Sequence, residues 1–327
     1  MSRANGRGAF LEPMLATLGR EADIVDQEDW AFEMKWDGIR IVATIDDATL
    51  RLVSRNGKDY TTTYPELREL LDVVNARQAV LDGEVVALDE GGRPDFGRLQ
   101  TRMGLSEPAD VARASRSVEV HYFVFDLLEV DGRSIMNADY DDRRARLESV
   151  IHAKDNGVVQ VPPAFQGNLH DAVRTSRELG LEGVVAKERD GRYVPGRRSH
   201  GWIKIKHHRT QEVIVGGWRP GNGRRAGSIG SLLVGIPDAE GIRYVGRVGT
   251  GFADTVLDEI RSRLAERESR TAQMRDVPAA DASDAHWVVP DLVGEVEFAE
   301  WTSAGRLRQP SWRGWRPDKS PSDVRVE

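Results

Sequence analysis

From Thr210 onward the sequence changes character, and that change constrains the fold more than any other feature. The stretch QEVIVGGWRPGNGRRAGSIGSLLVGIPDAEGIRYVGRVGTG sets short β-branched and aromatic runs between glycine breaks. Short strands at such close spacing imply a small β-barrel. A helical pattern over 253–266 (ADTVLDEIRSRLAE) and the strand-like WVVPDLVGEVEFAEW continue it. The boundary falls near 207–211, so residues 1–208 and 209–327 read as two domains, in keeping with a chain of 327 residues.

Upstream, strands and helices mix without a βαβ rhythm. WAFEMKWDGIRIVATI and LRLVSRNG, within 30–57, read as strand, turn and strand. AVLDGEVVAL (79–88), VHYFVFDLLEV (120–130), EGVVAKERD (182–190) and HGWIKIKH (200–207) read as further strands. Helical spacing marks YPELRELLDVV (64–74), whose Pro suits a first turn, then a short helix in DFGRLQTRMG, and helices over 139–151 and 169–180. The mixture predicts an α+β domain whose antiparallel sheets line a cleft.

Zero cysteines exclude disulfides, thiolate catalysis and Cys-ligated zinc, and the seven His residues form no HExxH-type pair. Any metal must be a hard cation held by oxygen. No stretch approaches the roughly 20 apolar residues needed to span a bilayer, and the opening MSRANGRGAF lacks the apolar core of a signal peptide. The expectation is a cytoplasmic protein with no membrane partner. A net charge of −7 runs against nucleic acid unless the cations are segregated. They are: 192–209 and 306–319 gather Lys and Arg, while 253–300 carries much of the acidity, so a basic face is available.

The chemistry centres on Glu33-Met34-Lys35-Trp36-Asp37-Gly38-Ile39-Arg40. A lysine before a Gly-containing turn between two strands can project into a cleft, where neighbouring cations or desolvation can make it a nucleophile. Asp37 shapes the turn. After it, in order, come Ser54-Arg55-Asn56-Gly57, Leu81-Asp82-Gly83-Glu84, Phe123-Val124-Phe125-Asp126, Glu182-Gly183-Val184-Val185-Ala186-Lys187 and Trp202-Ile203-Lys204-Ile205-Lys206. Phosphoryl transfer needs cations around a nucleophile and oxygen ligands for a divalent metal, and this set supplies both. Lys204 and Lys206, alternate residues of one strand, point to the same face. Glu84 and Glu182, each beside a glycine, can bind a ribose hydroxyl or a Mg²⁺, directly or through water. Arg40, Arg55 and Arg197 are planar multi-donor cations suited to phosphate. Phe125 reads from its apolar strand as a core residue, with its alternation with Phe123 turning one ring to the opposite side of the sheet.

This ordered series resembles the nucleotidyltransferase motifs of ATP-dependent DNA ligases, RNA ligases and mRNA capping enzymes, over about residues 11–324. The resemblance implies a nucleotidyltransferase (adenylation) domain followed by an OB-fold β-barrel. It makes Lys35 the residue that attacks the α-phosphate of ATP, releasing pyrophosphate and leaving a lysyl-AMP, with Lys204 and Lys206 reaching that phosphate. Glu84 becomes the ribose contact and Glu182 the metal-side residue, both open to Mg²⁺ or Mn²⁺. Phe125 becomes the platform for adenine, with the backbone of Glu33 and Met34 adding specificity. Arg40 and Arg55 read the nick phosphate or ribose, and Arg197, or the adjacent Arg198, approaches the phosphates. The tail from Arg306 to Lys319 resembles the same family's C-terminal motif, in which Arg316 and Lys319 orient the pyrophosphate as the barrel closes over the cleft.

Ser54 to Asp59, RYVPGRRS and TQEVIVGGWRPGNGRRAGSIGSLLVG are similar to the ligase module of bacterial non-homologous end-joining ligases. That implies an ATP-dependent DNA ligase acting on nicked or broken double-stranded DNA with 3′-OH and 5′-phosphate ends. It also implies a bacterial, nucleoid-associated location, with DNA-end-binding and repair polymerase proteins as partners. The expectation is a stand-alone enzyme or an excised module, using ATP rather than NAD⁺. Two other readings stay open: an RNA ligase or capping-type nucleotidyltransferase using the same lysine, and a non-catalytic DNA-end-binding protein. Intact Lys35, Glu84, Glu182, Lys204 and Lys206 argue against the last.

Overall fold

The computed structural model describes residues 11–221 and 229–327; the polar opening (1–10) and part of the Gly- and Arg-rich segment (222–228) lie outside the described residues. The chain divides into two compact units, Met1–His207 and His208–Glu327.

The strands that build the first unit are β1 (Leu15–Leu18), β2 (Trp30–Lys35), β3 (Ile39–Asp46), β4 (Thr49–Ser54), β5 (Gln78–Ala87), β6 (Val120–Val130), β7 (Gly183–Glu188) and β8 (Arg198–Lys206). They form two sheets. One has the order β1-β8-β7-β2, antiparallel except for β1 against β8. The other runs β4-β3-β5-β6, antiparallel, with two-residue strands at 133–134 and 159–160 beside β6.

Alternation decides which face of each sheet is covered. Ile39, Ile41, Ala43 and Ile45 of β3 bury one side of the second sheet against Leu67, Leu70 and Leu99 of short helical segments. In the first sheet Phe32, Val184, Ala186, Ile203 and Ile205 pack on Leu169, Ala172 and Val173 of one helix. Each of the Val, Leu, Ile and Phe side chains contributes about 1.5–3 kcal/mol on burial, so these apolar faces fix the layers. The opposite faces carry charged and aromatic residues and build the site. Two helices matter to it: α1 (Tyr140–Val150) and α2 (Leu169–Glu178). The sequence reading missed β1, a four-residue edge strand, and a helix at Pro108–Ser117.

The second unit is built from β9 (Arg209–Pro220), β10 (Ile229–Asp238), β11 (Gly241–Val248), β12 (His286–Phe298) and β13 (Ser311–Trp315). β9 pairs with both β10 and β12, β10 with β11, and β12 with β13, all antiparallel. A parallel bridge from Thr250, just past β11, to Ser311 completes the ring, with Trp312 N donating to Thr250 O at 2.9 Å. Five strands closed in this order make the OB-fold barrel. The helix α3 (Asp254–Ala265) adds Leu257, Ile260 and Leu264 to the barrel core. Among the described residues, no helix is long and apolar enough to cross a membrane.

Candidate active site

Lys35 ends β2, and register determines its neighbours. Trp202, Lys187 and Ala31 pair across β8, β7 and β2; so do Lys204, Val185 and Glu33, and then Lys206, Gly183 and Lys35. With a period of two, Trp202, Lys204, Lys206, Lys187, Glu33 and Lys35 share the face of the first sheet turned away from α2. Gly183 lies between Lys35 and Lys206, where an added Cβ would stand 2.0 Å from the carbonyl oxygen of Ile205. Beside that glycine, Glu182 takes Lys35 Nζ on one carboxylate oxygen and Lys206 Nζ at 3.1 Å on the other. Burial pushes the Glu182 carboxyl up, but the two ammonium charges outweigh it and hold its pKa well below the usual carboxylate range. Gly38, at the entry to β3, lies tight against β5: a Cβ there would meet Val85 O at 2.2 Å.

Arg40 and Asp82 lie on the face of the second sheet opposite its core. In the ladder Arg40 is opposite Glu84, and Glu84 opposite Phe123. Arg40 does not project alone. Its guanidinium forks onto Asp82 at 2.9 and 2.6 Å and lies over the rings of Phe125 and Trp202, at 5.4 and 5.5 Å. Burial lowers the Arg40 pKa, but the Asp82 charge more than reverses this and holds it above its ordinary value. Tyr193 OH donates to Asp82 at 2.7 Å and accepts from the Met14 amide at 3.0 Å.

Phe125 corrects one expectation. Residues two apart share a face in a regular strand, and here β6 also bulges: Asp82 pairs with Asp126 and Gly83 with Val124, so Phe125 is skipped. Both rings serve the same side of the sheet. Phe123 sits edge-on to Trp36 at 4.4 Å, and Phe125 sits against Trp202 at 6.1 Å. The skipped residue's carbonyl accepts from Lys187 Nζ at 3.3 Å.

Lys187 lies beneath this aromatic floor, fully buried, 4.8 Å from the Phe125 ring centroid and 4.3 Å from that of Trp202. It pairs with Glu33 at 2.8 Å. Glu33 also accepts from Tyr140 OH of α1 at 2.6 Å and lies 3.6 Å from Arg144. Burial lowers the Lys187 pKa, and Glu33 and Asp126 only partly restore it. Burial also raises the Asp126 carboxyl, although Arg143 of α1 grips it at 2.8 and 3.1 Å. Met34 faces away, opposite Val184 in the ladder.

Other expected site residues stand outside this cluster. Arg55 is exposed at the tip of a tight turn closed by Gly57 N to Ser54 O at 2.9 Å. Arg197 is exposed, while the neighbouring Arg198 commits its guanidinium to Ala16 O. In the second unit, Arg316 holds Asp318 at 2.9 and 2.7 Å and Glu295 at 3.2 Å, and Lys319 holds Glu212. Among the described residues no group of three or more His, Asp or Glu side chains could by itself hold a metal.

Comparison with known families places the chain. An "ATP dependent DNA ligase domain" matches residues 13–206, and an "ATP dependent DNA ligase C terminal region" matches 225–319. The chain belongs to the ATP-dependent DNA ligase family. It is 44% identical over 96% of its length to the multifunctional non-homologous end joining DNA repair protein LigD of Mycobacterium tuberculosis H37Rv, covering 39% of that protein. It is 35% identical to LigD of Pseudomonas aeruginosa, covering 98% of this chain and 38% of that one. This ligase chain therefore spans about two fifths of those relatives. A solved mycobacterial DNA ligase D complexed with ATP and MES matches with a TM-score of 0.69 and 43% identity, covering 97% of this chain and 98% of that one.

Asp82, Lys187, Tyr140 and Tyr193 of this ligase were not assigned roles from sequence. Asp82 and Lys187 stood inside the quoted strings LDGE and EGVVAK, and an ionisable residue within an otherwise apolar strand was the available signal. Tyr140 and Tyr193 carried none, because their partners come from other elements.

Proposed function

We propose that this chain is an ATP-dependent DNA ligase that joins 3′-OH and 5′-phosphate ends through a covalent AMP on Lys35. Residues 1–208 are assigned as the adenylation domain and 209–327 as the OB-fold domain. The observation that carries the reading is the meeting of Lys35 and Lys206 on one buried carboxylate, beside Lys204 and within a unit that also holds the Phe125 floor. Adenine is assigned to Phe125 and the backbone of Glu33 and Met34, the ribose to Glu84, and the α-phosphate to Lys204 and Lys206. Arg40 and Arg55 are assigned to the ribose or the nick phosphate, and Arg316 and Lys319 to the pyrophosphate. Arg197 is favoured over Arg198 as the remaining phosphate contact, since Arg198 is held by Ala16.

In the first transfer the Lys35 nitrogen forms a bond to the α-phosphorus while the bond to the β-phosphate oxygen breaks. Pyrophosphate leaves with the bonding electrons, and the ammonium gives up two protons to solvent, one to become a nucleophilic amine and one as the phosphoramidate forms. Glu182 is a poor acceptor for either proton, because its pKa is depressed. Its part is to position Lys35 against Lys206. AMP then passes to the 5′-phosphate at the break, and the 3′-hydroxyl displaces it to seal the strand. Glu182 and Glu84 are the carboxylates that would hold Mg²⁺ or Mn²⁺, with phosphate oxygens and water completing an all-oxygen shell that suits a hard cation. Bound there, the ion supplies neutralisation of phosphate charge.

The substrate is nicked or broken double-stranded DNA, in a cytoplasmic, nucleoid-associated setting, with DNA-end-binding proteins and a repair polymerase as partners. Similarity to the LigD proteins supports this setting. The test is intact mass after incubation with ATP and Mg²⁺, followed by sealing of nicked DNA and nicked RNA. An AMP adduct is expected on the wild type and absent from Lys35→Ala. An adduct surviving that substitution overturns the Lys35 assignment, and joining of RNA alone overturns the DNA assignment.

A further inference from the structure

In the barrel, Glu212 of β9 and Glu295 of β12 stand directly opposite each other in the strand ladder, and both are buried. Two carboxylates so placed repel, which costs stability unless cations are drawn in. The cations drawn in belong to the tail. Arg316 Nη1 reaches Glu295 at 3.2 Å and lies 3.6 Å from Glu212, while Nε and Nη2 hold Asp318 at 2.9 and 2.7 Å. Lys319 is bonded to Glu212, and Arg313 lies 3.4 Å from Glu295. Among the described contacts, Arg313, Arg316 and Lys319 thus meet Glu212, Glu295 and Asp318, three cations on three carboxylates. A phosphate chain arriving at Arg316 and Lys319 meets cations that carboxylates already engage.

We infer that Glu212 and Glu295 are positioning residues that act as a built-in counter-anion, holding Arg316 and Lys319 against the barrel and competing with a polyphosphate chain for them. The inference rests on the assignment of Arg316 and Lys319 to the pyrophosphate. Carboxylate and phosphate oxygens accept the same charge-assisted bonds from guanidinium and ammonium groups, so they are rivals for one set of donors. A scaffolding role has the opposite signature: loss of a glutamate would loosen the cations and weaken polyphosphate binding.

The test uses the full chain carrying Glu212→Gln or Glu295→Gln, each of which keeps the side chain's size and one acceptor oxygen. The ATP concentration for half-maximal self-adenylation and the inhibition constant for pyrophosphate should both fall roughly five- to tenfold, the scale of one ion pair. Constants that stay level or rise in a variant with wild-type melting overturn the inference. If neither variant folds, the wild type gives the answer. Amide exchange at Arg316 and Lys319, whose N–H groups bond Val293 O and Arg316 O, should accelerate on adding pyrophosphate, and unchanged exchange overturns the inference. Arg316→Gln separates the two readings. Wild-type adenylation and pyrophosphate inhibition in that variant remove the pyrophosphate assignment itself. Loss of both, with the glutamate variants unmoved, keeps the assignment and removes the counter-anion.

Discussion

The Arg40–Asp82 pair is where the cleft can be tested most sharply as a physical object. Asp82 is fully buried and Arg40 is 18% exposed. Removing one partner of such a pair strands the other charge, at a cost of about 3–5 kcal/mol. Arg40 keeps some solvent, so Asp82→Leu should cost about 3 kcal/mol. Arg40→Leu leaves a buried carboxylate with Tyr193 as its remaining side-chain donor among the described residues, and should cost about 4 kcal/mol. The double variant strands no charge, so it should be more stable than the sum of the singles by about 2–3 kcal/mol. For a unit of this size each kcal/mol is worth roughly 2–4 °C, so the singles should lower its melting temperature by roughly 6–16 °C. Urea denaturation of all four proteins, followed by circular dichroism through the transition of the first unit, gives the cycle. A coupling below about 0.5 kcal/mol would mean that Arg40 and Asp82 are independent, and the reading of the pair as a closed unit would be wrong.

Three further outcomes are expected. Phe125→Ala should raise the ATP concentration for half-maximal adenylation roughly tenfold while lysyl-AMP still forms, and an unchanged value would count against the adenine platform. Glu182 has a folded pKa below its unfolded value, so its contribution to stability is present above the unfolded value and is lost as pH falls through the folded one. Glu182→Gln should therefore be less stable than wild type at neutral pH, with the gap closing on acidification; a constant gap in urea titrations across pH would refute this. Gly183→Ala must push its Cβ into Ile205 O, moving Glu182 and Lys206 apart, and should cut the adenylation rate at least roughly tenfold; a wild-type rate by intact mass would show that the strand can shift without consequence.

What could be read from the sequence was what repeats locally. Lys204 and Lys206 share a face because they are two apart, and glycine-broken strands after Thr210 imply a barrel without knowledge of any contact. Pairings across sheets were illegible. Arg40 and Asp82 are 42 residues apart and Tyr193 and Asp82 are 111 apart, and nothing short-range links them. For that reason Arg40 reads as a phosphate-binding cation without its carboxylate partner, and Lys187 has no assigned role. Phe125 failed differently: two residues apart on one strand share a face, so the expectation that its ring turned away from that of Phe123 misapplied the period rather than lacking information.

The barrel's ring closes unevenly. β9 and β12 join over nine residue pairs, whereas β11 and β13 meet through the single bridge at Thr250 and Ser311. A closed wall opens first at its least hydrogen-bonded joint. Here that joint borders β13, and β13 leads directly into Arg316 and Lys319. The tail that carries the cations is thus attached at the weakest seam of an otherwise continuous cylinder, so it can be handed over to another anion while the other joints keep their shape.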